Sequence, residues 1–138
     1  MVEARINELT KVVAGENAAI WAYGFLLAFL NERDYQEGFR IFNQHRNARD
    51  AARLKLRALN QTPPRPEPNY DLPFSVNNSS SAKELAGYLE DRLAGIYAMW
   101  AGVELKEDKT YAFEKSIEAA TRYFFWTGKT KSFPGAVD

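Results

Sequence analysis

The 138-residue sequence predicts an all-α fold, a four-helix bundle with a long crossover between helices two and three. Three observations predict it. Apolar residues recur at spacings of three and four in four separate stretches, residues suited to starting and stopping helices bracket those stretches, and the one long segment without helical periodicity falls in the middle of the chain.

Helix one is expected over about residues 3 to 31, where Ile6, Leu9, Val13, Ile20, Leu27 and Leu30 repeat along one seam and Gly15 and Gly24 are the interior weak points. Asn31 is a plausible end. Asp34 with Glu37 resembles a capping box opening helix two, which runs to about Leu59, so the first two helices are tight antiparallel neighbours. About residues 61–81 are rich in proline, asparagine and serine and are expected to be extended. Ser81 with Glu84 opens helix three, which carries Leu89, Leu93, Ile96 and Trp100 to about Leu105. Asp108 caps helix four, which carries Phe113, Ile117, Ala120 and Phe124 on one side and stops at Gly128. Lys129 and Lys131 suit a helix C-terminus, and a short tail with Phe133, Pro134 and Gly135 follows. Some twenty extended residues reach ~60 Å, enough to return along a helix of ~40 Å. A tight pair, a full-length crossover and a second tight pair is the connectivity of ferritin-like bundles.

Composition bounds the function. The length suits a single domain spanning 1–138, large enough to bury a core without staples. Eighteen basic and 18 acidic residues give zero formal charge and no global attraction to nucleic acid or an anionic membrane. The absence of cysteine excludes disulfides, thiolate metal sites and cysteine nucleophiles. The first residues carry acids and no apolar signal region, and no run approaches the ~20 apolar residues of a membrane span, so a soluble, cytoplasmic protein is expected. No phosphate-cradling glycine loop and no Ser-His-Asp pattern with motif context is present. The basic residues of helix two, Arg40 to Arg57, read as a solvated face paired with acidic neighbours.

The polar interruptions of the apolar stripes are the candidate site. His45, the only histidine, and Arg49 fall on an arc with Tyr35, Phe39, Phe42, Leu56 and Leu59, while Glu16 and Tyr23 occupy the seam of helix one. Glu90 lies at the margin of the third helix's apolar arc, and Glu114 and Glu118 are the candidates on helix four. Buried carboxylate, imidazole and guanidinium cost several kcal/mol each unless they satisfy one another or a ligand. Two readings follow. In the first, Glu16, His45 and Glu90 are remnants of a di-metal site, holding iron or manganese in an oxidoreductase or iron-handling protein. In the second, which is favoured, they form a degenerate site with no cofactor, where Arg49, with Arg46 as a second candidate, replaces metal charge against Glu16 and Glu90. Phe42 stands where the Glu of a Glu-x-x-His motif is needed, so bridging carboxylates are too few and a non-catalytic protein is expected. Glu118 four before Arg122 reads as a surface ion pair.

Glu16 with Tyr23-Gly24, His45-Arg46 with Arg49-Asp50, Tyr70 with Leu72-Pro73-Phe74, Leu89-Glu90 and Phe133-Pro134-Gly135 together resemble an uncharacterised ferritin-like family catalogued as a domain of unknown function. The His-Arg-x-x-Arg-Asp run and the closing Phe-Pro-Gly are its strongest pieces. The resemblance implies a ferritin-like four-helix bundle whose site has lost the usual di-iron pattern, and it implies no activity or substrate.

On helix one Trp21, Phe25 and Phe29 point about 120° to 200° away from the seam through Glu16, a second apolar face that a four-helix core does not use. Two covers are expected for it: the crossover's Tyr70, Leu72 and Phe74 with the tail's Phe133, or a second copy in a homodimer.

Overall fold

The computed structural model describes residues 2–130. It contains four helices and, among the described residues, no strand: α1 (Val2–Leu26, continued by a 3-10 turn, Leu27–Phe29), α2 (Glu32–Ala58), α3 (Ser79–Val103) and α4 (Lys106–Thr127). The Phe133-Pro134-Gly135 tail and Lys131 lie outside the described residues.

The helix ends follow local hydrogen bonding. Leu30 and Asn31 are extended, and the Asn31 side chain accepts from the Asp34 amide at 3.0 Å, so Asn31 starts α2 and Asp34 sits inside its first turn. Glu37 pairs with Arg40 instead of closing a box on Asp34. The box of α3 also lies three residues earlier than expected. Asn78 accepts from the Ser81 amide at 2.8 Å, while the Ser81 hydroxyl accepts from the Asn78 amide at 3.2 Å. Leu105 precedes α4 without a side-chain cap, and Asp108 accepts from Lys55 at 2.7 Å. Gly128 ends α4 at φ 71°, a left-handed conformation that glycine adopts without a Cβ penalty, with its amide on the Phe124 carbonyl.

Pairs of contacts set the directions. Arg5 meets Glu104 and Tyr23 meets Glu90, so α1 and α3 are antiparallel; Lys55 meets Asp108 and Gln44 meets Arg122, so α2 and α4 are antiparallel. Ser116 donates to the Ala94 carbonyl at 2.7 Å in the antiparallel α3/α4 pair. Between α2 and α3 the chain runs beside α1: the Pro64 carbonyl accepts from Asn17, Tyr70 packs on Trp21 with ring centroids 5.8 Å apart, and Val76 enters the core beside Leu26 and Trp126.

Two helical faces differ from expectation for one reason. The buried stripe of α2 is Gly38, Ile41, His45, Ala48, Ala52 and Leu56, whereas Tyr35 and Phe39 are exposed. That of α4 is Ala112, Ser116, Ala119 and Trp126, whereas Phe113, Ile117 and Phe124 are exposed. Helix axes ~8–10 Å apart favour small side chains at the closest approaches, here Gly38, Ala48, Ala52, Ala112, Ser116 and Ala119, and Tyr35, Phe39, Phe113, Ile117 and Phe124 turn outward. At Gly38 a Cβ would stand 2.8 Å from a Leu27 methyl, so any larger residue at this crossing displaces the Leu27 side chain.

The stretch Val2–Phe29 is, contrary to expectation, long and apolar enough to cross a membrane by length and composition, and 50% of its most apolar window is buried inside the bundle. The seam of α1 is apolar because it is a core helix face, and the same alanines, leucines and aromatic residues satisfy a span criterion.

Candidate functional site

The site lies between two apolar clusters. One contains Leu9, Val13, Leu56, Leu93 and Trp100, the other Ala22, Leu26, Ile41, Leu85 and Trp126. Each helix sends polar groups into the layer between them. Glu16 and Tyr23 are seven residues apart on α1, and Glu90 and Tyr97 are seven apart on α3. Seven residues make two helical turns, so each Glu and its Tyr share a face. Because α1 and α3 are antiparallel, the two pairs meet reciprocally: the Tyr23 hydroxyl donates to Glu90 at 2.6 Å and the Tyr97 hydroxyl donates to Glu16 at 2.5 Å.

His45 of α2 bridges the two carboxylates. Its Nδ1 is 2.6 Å from Glu16 Oε1 and its Nε2 is 2.8 Å from Glu90 Oε2. With a carboxylate facing each ring nitrogen, the imidazole is held as the imidazolium and both N–H groups donate. From α4, Arg122 Nε donates to Glu90 Oε1 at 2.9 Å, and Trp126 Nε1 donates to the Tyr23 hydroxyl at 3.0 Å. Two carboxylates balance one imidazolium and one guanidinium, and every carboxylate oxygen of Glu16 and Glu90 accepts a hydrogen bond. Glu16, His45, Glu90 and Tyr23 are buried to 1% exposure or less.

Of the residues named from sequence, the structure brings Glu16, Tyr23, His45 and Glu90 together and leaves Arg49 out. Arg49 donates to the neighbouring Asp50 and does not serve Glu16. The stripe of α2 runs through His45 and Ala48, and Arg49 stands at its edge, where its long side chain turns outward. Arg46 is exposed, its guanidinium over the Phe42 ring at 5.8 Å. Arg122 takes the inward role instead; it lies 3.8 Å from Glu118 and 2.9 Å from Glu90, so the expected surface pair is the weaker of its two carboxylate contacts. Tyr97, Arg122 and Trp126 complete the layer. The repeated Glu-x6-Tyr spacing of α1 and α3 is the signal that marks Tyr97. Glu114 is exposed on α4, away from the layer.

Trp21, Phe25 and Phe29 are each partly buried; Trp21 stacks on Phe25, Phe25 is tilted against Phe29, and Tyr70 of the connecting segment packs on Trp21. The connecting segment covers the Trp21 end of this face.

Burial alone would push the His45 imidazole down, but the charges of Glu90 and Glu16 outweigh it and raise its pKa from 6.5 to about 9. Burial likewise raises Glu90, and the His45 and Arg122 charges outweigh it, holding the carboxyl at about 2 instead of 4.5. Burial and the adjacent carboxylates push both tyrosines well above their ordinary value, so they remain donors. For His45 the folded pKa is above the unfolded one, so its stabilisation is complete below pH 6.5 and is lost as the pH rises through about 9. For Glu90 the folded pKa is below the unfolded one, so its stabilisation is present above pH 4.5 and is lost as the pH falls towards about 2. Denaturant midpoints measured against pH should therefore fall on the alkaline side, and His45→Gln should abolish that fall. An equally steep alkaline fall in His45→Gln would place its origin elsewhere.

Glu16, His45 and Glu90 are the side chains a metal would use. A metal on a ring nitrogen sits ~2.0–2.1 Å out along its lone pair. That point is less than ~1 Å from the carboxylate oxygen facing each nitrogen at 2.6 and 2.8 Å, so the donor set as arranged does not fit an ion. Two clefts, about 340 Å³ beneath the connecting segment and about 360 Å³ between α3 and α4, and a wider one of about 940 Å³ that includes Phe74, Lys83 and Tyr123, are lined by other residues.

Comparison with known proteins places this bundle beside a solved structure. A conserved hypothetical protein, rv2844, from Mycobacterium tuberculosis superposes with a TM-score of 0.88 at 26% sequence identity, over 91% of this chain and 96% of that one. No match is found among curated proteins. The family model described as Domain of unknown function (DUF4439) matches residues 8–138, nearly the whole chain and all of the polar layer, and the chain belongs to that family.

Proposed function

We propose that this chain is a single ferritin-like four-helix bundle domain, with its crossover over about residues 61–81, whose di-metal site has been replaced by a closed ionic network. His45 and Arg122 supply the positive charge that metal ions supply to the carboxylates of such a site. In this reading the protein is cytoplasmic, binds no cofactor and is not an enzyme. The polar layer fixes the register of the four helices, and biological activity resides on the surface.

The observation that carries the reading is the occupation of both His45 nitrogens by carboxylates. A metal site needs an imidazole lone pair, and here both are protonated and spent. A reactive site also needs access, whereas these side chains are sealed between two apolar clusters. Elemental analysis of protein purified without chelators, after incubation with ferrous iron or manganese, tests this directly. The expected content is well below one equivalent, with no oxygen-dependent ferrous oxidation. About two bound equivalents with oxidase activity would restore the metalloprotein reading.

A further inference from the structure

The cleft between α1, α3 and residues 70–73 of the connecting segment has an apolar floor, aromatic walls and a charged rim. Its volume of about 340 Å³ falls within the range of small-molecule sites. Ala22, Leu85 and Leu93 are buried and form the floor, while Asp71, Pro73, Tyr88 and Arg92 are exposed and form the rim. The space exists because α1 is small-sided here: Gly15, Ala18 and Ala22 share a face at spacings of three and four. At Gly15 a Cβ would stand 3.1 Å from methyl groups of Leu93 and Ile96, so α1 and α3 touch there and close one end. Ala18 and Ala22 are too short to fill the gap beneath the connecting segment.

The walls are held by contacts of their own. Trp21 stacks on Phe25 and packs against Tyr70, whose hydroxyl accepts from the Glu67 amide at 3.0 Å. Tyr88 meets Phe74 edge to face at 6.3 Å, and its hydroxyl accepts from Arg92 Nη1 at 3.0 Å. Leu72 and Phe74 pack against the core cluster that holds Leu26 and Leu85, which anchors the connecting segment over the cleft. Arg92 thus has one N–H committed to a neutral hydroxyl and no carboxylate partner among the described residues. The rest of its donor fork is open to an acceptor at the rim. Glu8, in the adjoining groove that Arg92 also lines, pairs with Lys11.

We propose that this cleft binds a small aromatic monocarboxylate, with its ring among Trp21, Tyr70 and Tyr88 and its carboxylate on Arg92. Rings from α1, the connecting segment and α3 offer edges and faces to a planar aromatic group, which packs on them better than an alkyl chain does. The guanidinium fork matches a carboxylate in shape and charge. With Arg92 on the rim, the ring leaves water while the carboxylate stays where solvent reaches it, so little charge is buried. Asp71 on the same rim repels a second negative charge, which favours a monoanion over a dianion. For a small ligand at an open rim a dissociation constant of ~0.1–1 mM is expected. The inference is independent of whether the polar layer ever held metal.

Titration of naphthylacetate to about 5 mM into the full isotope-labelled chain, read by NMR chemical shifts, tests it. The expected result is saturable shifts centred on the Trp21 indole and the Ala22 and Leu89 amides. The neutral isostere naphthylacetamide should bind about tenfold more weakly. Arg92→Gln should weaken naphthylacetate by about tenfold and leave naphthylacetamide unchanged, with the denaturation midpoint at its wild-type value because the site is exposed. Asp71→Asn should bind naphthylacetate as tightly as wild type or more so. Absence of saturable shifts at the cleft, or naphthylacetate binding that survives Arg92→Gln undiminished, overturns the proposal. So does a preference for the cation naphthylethylamine, which would make Asp71 the anchor, or octanoate bound as tightly as naphthylacetate, which would remove the aromatic selectivity.

Discussion

Replacing His45 by leucine is expected to cost about 3–5 kcal/mol of folding stability, the range for stripping one partner from a buried ion pair. The leucine fills much of the volume but leaves Glu16 and Glu90 without the group that separates and neutralises them. Arg122 still serves Glu90, whereas Glu16 retains only the neutral Tyr97 hydroxyl. A chain of this size has ~5–15 kcal/mol in total, so the variant should sit close to the edge of folding at neutral pH. Adding Glu16→Gln to His45→Leu removes the stranded charge and should recover a substantial part of the loss, measured as the denaturant midpoint of single and double variants. A His45→Leu loss below about 1 kcal/mol, or a double variant worse than the sum of its parts, would show that the network does not act as a closed charge set.

Much of this layer was legible in the sequence because a polar residue on an apolar stripe is conspicuous. Glu16 and Tyr23 interrupt the seam of α1, His45 is the only imidazole, and Glu90 borders the stripe of α3; all four meet. What was illegible is the direction each helix faces when its large apolar residues do not mark the core. On α2 the periodicity runs through Tyr35 and Phe39, and on α4 through Phe113, Ile117 and Phe124, yet α2 turns Gly38, Ala48 and Ala52 inward and α4 turns Ala112, Ser116 and Ala119 inward. Hydrophobic periodicity records which residues avoid water, and close helix packing selects by size as well. The same rotation moved the arginine. Counting residues from the first turn puts Arg49 at the height of Glu16, but height does not fix azimuth. With α2 turned to bury Ala48 and Ala52, Arg49 falls outside, and the rotated α4 delivers Arg122 instead.

Arg122→Met and Arg49→Met are accordingly expected to differ sharply. Arg122 is 11% exposed, its Nε donating to Glu90 Oε1, an oxygen that accepts no other hydrogen bond within the layer, and its Nη1 reaching Gln44. Methionine matches the aliphatic stem and removes the guanidinium, which leaves a fully buried carboxylate with the imidazolium as its only cation. The expected cost is ~3 kcal/mol. Lysine should recover part of it, because an ammonium restores the charge but not the planar fork that contacts both partners. Arg49 is 20% exposed and pairs with Asp50, which is 61% exposed. Exposed pairs of this kind contribute ~0–1 kcal/mol, so Arg49→Met should stay within about 0.5 kcal/mol of wild type. Equilibrium denaturation at pH 7 decides between the two arginines. Equal losses, or a larger loss for Arg49→Met, would mean that Arg122 does not carry the inward charge and that α4 is rotated from its place against the layer.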